Sequence, residues 1–105
     1  MKNLLDAAAE TGAGDSLELH NQIACTVVLE ITGTFVGTVT FKARAQQGGT
    51  LYAIEARDLS AGADATTATA AGIFRLDGSG LYEVVPDVTA YTSGSITVQG
   101  FVVAG

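Results

Sequence analysis

The chain offers one histidine, His20, and one cysteine, Cys25. A thiolate–imidazolium nucleophile needs these two side chains adjacent in space, with a third group orienting the imidazole. Here they fall on different predicted elements. His20 lies in a loop, and Cys25 sits in an apolar strand pattern, where it reads as a small buried hydrophobe. One histidine and one cysteine cannot assemble a metal site of the usual kind. Asp58, Asp64, Asp77 and Asp87 lie near turns, where Asp is a normal turn-former, and they lack the ligand spacing of a calcium loop. Gly12-Ala13-Gly14 and Gly78-Ser79-Gly80 do not open helices, so neither is a phosphate-binding loop. No pattern places two acids across a cleft, as glycoside hydrolysis requires. The expectation is a protein with no catalytic residues, no metal and no cofactor.

Composition narrows the partners. The net charge of −6 argues against nucleic acid, because phosphate contacts need a basic surface. The five basic residues, Lys2, Lys42, Arg44, Arg57 and Arg75, form no basic run. Charged residues are only 15%, which leaves a surface of Thr, Ser, Ala and Gly suited to a repetitive assembly. No stretch approaches the ~20 apolar residues of a membrane helix. The start Met1-Lys2-Asn3-Leu4-Leu5-Asp6 lacks the apolar run of a secretory signal, so the protein is expected to be made in the cytosol and to stay soluble or assemble there. Trp is absent, and Tyr52, Tyr82 and Tyr91 are read as core or rim residues rather than sugar platforms.

The elements that would carry any site are strands. Thr38-Val39-Thr40-Phe41-Lys42-Ala43-Arg44 alternates polar and apolar, and so does Ser95-Ile96-Thr97-Val98; such alternation marks strands with one buried face. Gln22–Thr32 puts Cys25, Val27, Leu29 and Ile31 on one face. Thr38–Ala45 puts Val39, Phe41 and Ala43 inward and Lys42 and Arg44 outward. In Leu51–Arg57, Tyr52, Ile54 and Ala56 form the expected buried face. Leu59–Asp64 is read as a loop and Ala65–Ala71 as an edge strand. Ile73–Asp77, Leu81–Tyr91 and Ser95–Ala104 complete the set, and Pro86 marks an edge position or a bulge. About eight short strands with frequent turns predict an all-β, antiparallel β-sandwich of jelly-roll or immunoglobulin-like type over residues 15–105. Its expected core is Val27, Leu29, Ile31, Val39, Phe41, Phe74, Ile96 and Val98.

Residues 1–14 look different. Asn3–Glu10 favours a short helix, capped by Asn3 or Asp6, and Thr11-Gly12-Ala13-Gly14 reads as a hinge. This N-terminal arm carries a leucine pair that must fold back, stay wet or dock on a neighbour. The expectation is docking, with Leu4, Leu5 and Ala8 of the arm, together with Lys42 and Arg44, as the partner interface.

The order of segments adds a resemblance. Leu4-Leu5-Asp6-Ala7-Ala8-Ala9-Glu10-Thr11-Gly12-Ala13-Gly14-Asp15-Ser16 precedes a long Val-rich strand. Then follow Ile31-Thr32-Gly33-Thr34-Phe35-Val36-Gly37-Thr38-Val39-Thr40-Phe41 and Ala68-Thr69-Ala70-Ala71-Gly72-Ile73-Phe74-Arg75. The chain closes with Val88-Thr89-Ala90-Tyr91-Thr92-Ser93-Gly94-Ser95-Ile96-Thr97-Val98. Over nearly its full length it resembles small tailed-bacteriophage virion structural proteins. It departs from them at Tyr52, where relatives often carry Trp, and at Glu83, Val84 and Val85, where they often carry basic residues. The resemblance implies a capsid decoration (cement) protein in the virion. Its partners would be the major capsid protein and further copies of itself, with no nucleic acid and no membrane. The alternatives are a tail, baseplate or host-adhesion module and a stand-alone carbohydrate-binding domain.

Overall fold

The computed structural model describes residues 2–104, and of Ala104 the backbone alone. Met1, the first residue of the expected arm, and Gly105, the last of the expected sandwich, lie outside the described residues. In chain order the strands are β1 (Lys2–Ala8), β2 (Gly12–Ala13), β3 (Leu17–Glu18), β4 (Cys25–Thr32), β5 (Phe35–Arg44) and β6 (Tyr52–Ala53). They continue with β7 (Ala56–Asp58), β8 (Ala63–Ala65), β9 (Thr67–Ala68), β10 (Gly72–Asp77), β11 (Glu83–Gly94) and β12 (Ile96–Ala104). No described residue is helical. One sheet (sheet A) has the order β1-β12-β4-β10-β7-β8; the other (sheet B) has β2-β11-β5-β6, with β3 also on β11 and β9 also on β5. Every pairing is antiparallel.

The period-2 pattern explains the core. Cys25, Val27, Leu29 and Ile31 point inward from β4, Val39, Phe41 and Ala43 from β5, and Ile96 and Val98 from β12. Phe74 and Leu76 of β10 join them, and the rings of Phe41 and Phe74 meet at 5.1 Å and a tilt of 46°. All eight residues expected in the core are buried. Dense packing of this kind is what each inward side chain contributes to stability.

Three expectations are corrected. The first concerns the arm. Residues 2–8 are a strand rather than a helix, paired along β12. Leu4 is 3% exposed and belongs to the core, so the leucine pair folds back onto its own domain. The supposed hinge holds β2, paired with Val88 and Asp87 of β11. Gly14 then donates its N–H to the Pro86 carbonyl at 2.8 Å, and Asp15 donates to the Leu4 carbonyl at 2.7 Å. The burial of Leu4 and these ladder bonds outweigh the weak helix propensity of the Ala run.

The second correction concerns Tyr52, Ile54 and Ala56. Tyr52 is on β6 in sheet B and Ala56 on β7 in sheet A, so the chain changes layer between them. Alternation therefore does not persist, and Tyr52 is 69% exposed while Ala56 is buried. The third is that Ala63 and Asp64, expected at the end of a loop, join Ala65 in β8 and form a hairpin with β7.

Pro86 sits where its missing N–H is harmless. Its partner on β5 is Phe41. Both backbone groups of Phe41 face the other way: its N–H donates to Thr66 at 2.9 Å, and its carbonyl accepts from Ile54 at 2.8 Å. The nitrogen of Pro86 thus faces the break between β3 and β2, which behaves as an edge.

Two crossings between the sheets touch. Gly94 has φ of 92°, a region that L side chains rarely adopt, and a Cβ there would stand 2.1 Å from the Thr34 carbonyl oxygen. Ser95 N–H donates to that same oxygen at 3.1 Å. Gly94→Ala is therefore expected to destabilise the domain by at least the ~1–3 kcal/mol of backbone strain. Leu4→Ala is expected to cost about 2–5 kcal/mol, and Leu5→Ala less, because Leu5 is only half-buried. Urea unfolding of the three variants checks both, and a Leu4→Ala domain as stable as the parent would return the strand to the status of a loose arm.

Candidate functional site

The residues expected at an interface do not come together. Leu4, Leu5 and Ala8 lie on β1 at the edge of sheet A, while Lys42 and Arg44 lie on β5 in the other sheet. Leu4 is inside, and Leu5 and Ala8 pack against the core. Lys42 and Arg44 do point outward, as their alternation requires, but each meets a carboxylate on β11. Lys42 Nζ is 2.7 Å from Asp87 Oδ2. Arg44 Nε is 2.8 Å from Glu83 Oε1, off the N–H direction, so this is an ion pair without a well-aimed hydrogen bond. Thr40 and Thr89 share a hydroxyl hydrogen bond of 2.9 Å between the same strands. Val85, opposite Lys42, is 4% exposed yet outside the core, so it is covered on the outer face of the sheet. Around these pairs the face is closed by its own side chains, while Val36, nearer the start of β5, is 59% exposed.

The chemistry-bearing residues are likewise dispersed. His20 pairs with Glu18 at 3.1 Å and stands edge-on to Tyr82 at 5.7 Å. It is exposed, whereas Cys25 is buried at the start of β4. Burial pushes the Cys25 thiol up, and the negative charge of Asp77 adds to this. Asp77 is held below the usual carboxylate range by hydrogen bonds from Ser79, whose N–H lies 3.0 Å away. Asp58 accepts from Ser60 and Ala61 N–H at 2.9 and 3.2 Å, which is turn-forming work. Among the described residues no three His, Cys, Asp or Glu side chains are grouped to hold a metal ion.

What the surface does offer is apolar. On the outer face of sheet A, Ile73 is 43% exposed, Phe101 39% and Val103 46%. The register sets Phe101 beside Val28 and Val103 beside Thr26, so these two neighbour each other on β12, while Ile73 stands two strands away on β10 beside Glu30. The alternation of Ser95–Ala104 that turns Ile96 and Val98 inward also places Phe101 and Val103 on the outer side, a signal the sequence carries without naming them as a surface. A second apolar feature is an open groove of about 410 Å³ lined by Phe35, Val36, Gly37, Thr38, Thr69, Ala90 and Thr92.

This arrangement defines a class: a two-sheet antiparallel β-sandwich. The family model described as XepA matches residues 3–102, and the chain belongs to the XepA family. Two solved structures share its fold. The SPBc2 prophage-derived protein YomS superposes with a TM-score of 0.83 at 19% identity, covering 98% of this chain and 89% of that one. The PBSX exported protein XepA gives 0.82 at 21% identity, covering 96% of this chain and 36% of that one, so the chain spans about a third of that protein. No curated protein matches. The chain is thus similar to phage-derived proteins.

Because folding keeps the Cys25 thiol protonated, its contribution to stability is full below the ordinary thiol value of 9.0 and is lost as pH rises through the higher folded value. Stability is expected to fall on the alkaline side of pH 9, and this slope is expected to flatten in Cys25→Ala. Urea unfolding of both proteins across alkaline pH checks it. Native protein at neutral pH is expected to resist thiol reagents that label it when unfolded.

Proposed function

We propose that this protein is a phage structural protein of the capsid-decoration type, which binds the outside of the head and bridges capsomers. Its partners in this reading are the major capsid protein and further copies of itself, and neither nucleic acid nor a membrane. It is a binding module and not an enzyme. The observation that carries the proposal is the outer face of sheet A, where Phe101 and Val103 stay exposed together on β12 and Ile73 on β10. Apolar side chains clustered on a face favour association with another protein. Similarity to prophage-derived proteins supports the phage context. The net charge of −6, with Lys42 and Arg44 already neutralised, gives no surface suited to DNA.

A second reading is an accessory protein that acts away from the particle, since one relative of the same fold is described as exported. A tail, baseplate or adhesion position is the third. Counting copies on purified particles separates them. Hundreds of copies on heads support decoration, a handful on tails point to the tail reading, and protein found only in the cell-free fraction overturns both. Phe101→Asp is expected to lower head occupancy severalfold while melting close to the parent, because the residue already faces solvent. Unchanged occupancy would remove sheet A from the interface.

A further inference from the structure

We propose that copies of this protein associate head to tail, with Ile23 of one copy seated in the groove beside Phe35 and Val36 of the next. Ile23 is 96% exposed, more than any other large apolar side chain described. It projects from a loop that is held on both sides. Leu19 and His20 donate their N–H groups to the Tyr82 carbonyl at 2.7 and 3.0 Å, and Asn21 donates to the Leu81 carbonyl at 3.0 Å. Gly80 donates to the Gln22 carbonyl at 2.7 Å. The Asn21 amide reaches the carbonyls of Ala45 and Gly80 at 2.7 and 2.9 Å. His20 and Asn21 adopt φ of 52° and 58°, a region that costs energy for residues other than glycine. These bonds and angles fix a side chain that buries almost nothing in its own domain. A side chain fixed in this way loses little entropy on docking, which is what an anchor residue requires.

The groove of about 410 Å³ supplies the complementary surface, and no residue lining it is charged. The neutrality extends beyond its walls. Residues 31–41, 65–74 and 88–105 contain no Asp, Glu, Lys or Arg. The fold brings Val36, Thr69 and Ala90, one from each of these stretches, to the same groove. In a chain of net charge −6, a second copy meets least repulsion at this end. The edge of β5 is also open here. Phe41 turns its N–H and carbonyl away from β11, and alternation turns those of Val39 and Gly37 the same way. The ladder to β9 ends at Val39, so Gly37 has no described backbone partner on that side. The N–H and carbonyl of Ile23 have none either.

Knob and groove cannot meet within one molecule. Asn21 ties the loop to Ala45, just past the end of β5, whereas the groove lies along the start of that strand. From Phe35 to Ala45 the chain runs roughly 30 Å, at ~3.3 Å per residue. A knob at one end and a socket at the other make a heterologous contact that repeats from copy to copy. An anionic membrane is a poor host for Ile23, because its charge has the same sign as the protein's.

The test is sedimentation velocity of the isolated protein at concentrations rising to the millimolar range, since a contact with one anchor is weak. The parent is expected to grow in mass with concentration. Ile23→Asp and Val36→Asp are each expected to weaken association by about tenfold or more. Both side chains face solvent, so both variants are expected to melt close to the parent. Mixed in equal amounts, the two variants are expected to form a one-to-one complex that grows no further, because one keeps the socket and the other the knob. Phe101→Asp is expected to associate as the parent does, which separates this contact from the outer face of sheet A. A parent that stays monomeric, an Ile23→Asp protein that associates like the parent, or a mixture of the two variants that stays monomeric would each overturn the proposal. Ile23-dependent binding of a monomeric protein to phosphatidylserine vesicles would overturn it in favour of a membrane. No phage particle enters the test, so its failure is distinct from failure of the decoration reading.

Discussion

Between Thr32 and Phe35, and again between Gly94 and Ile96, the chain changes sheets within one or two residues. The five longest strands past the N-terminal strand, β4, β5, β10, β11 and β12, alternate between layers, so none of them pairs with the next of the five in sequence. The two crossings are packed on each other, with Ser95 bonded to Thr34 and Gly94 too close to Thr34 for any side chain. This contact fixes where β4 ends and β12 begins, and so fixes the register of Thr97 on Thr32 and every rung beyond it. Because a slip of one residue would turn the buried face outward, the inward set of β4 and β12 depends on that junction.

The same routing shapes how the domain can form. The central ladder of sheet A joins Cys25–Thr32 to Ile96–Ala104, and its edge joins Lys2–Ala8 to the same closing strand. The longest ladder of sheet B joins Phe35–Arg44 to Glu83–Gly94. Pairings so distant in sequence must meet the entropy of loop closure before they gain contacts, which places such folds among the slow folders. Sheet A cannot be completed until β12 has been made, nor sheet B until β11 has.

The legible parts of this structure were those governed by one period. Alternation from Cys25 to Ile31 and from Val39 to Ala43 marked the faces that are buried. It failed where the period is interrupted. At Leu4–Leu5 the pairing register shifts, so both leucines turn toward the core and no alternation is seen. At Tyr52–Ala56 a change of sheet breaks the count. Candidate sites were harder still. That Lys42 and Arg44 point outward follows from spacing, but that Asp87 and Glu83 meet them follows from a ladder between distant segments. That Arg57 faces Arg75 follows from such a register as well.

The two outer faces consequently differ in what docking would cost. On sheet B, covering Lys42–Asp87 and Arg44–Glu83 would strip water from ion pairs already part-buried, a penalty that Coulombic attraction repays poorly. On sheet A, covering Phe101, Val103 and Ile73 removes apolar surface from water, worth roughly 25 cal/mol per Å². The basic charge on that face lies on β10 and β7, at Arg75 and Arg57, with Glu30 on β4 between them and the apolar residues of β12. A partner could therefore take up the β12 side through apolar contact and leave the arginines at its rim, where charge sets orientation and encounter rate more than affinity. The asymmetry follows from strand order and register: sheet B brings acids of β11 to both outward bases of β5, whereas sheet A sets Arg75 opposite Arg57 and leaves Asp64 to Arg57 alone.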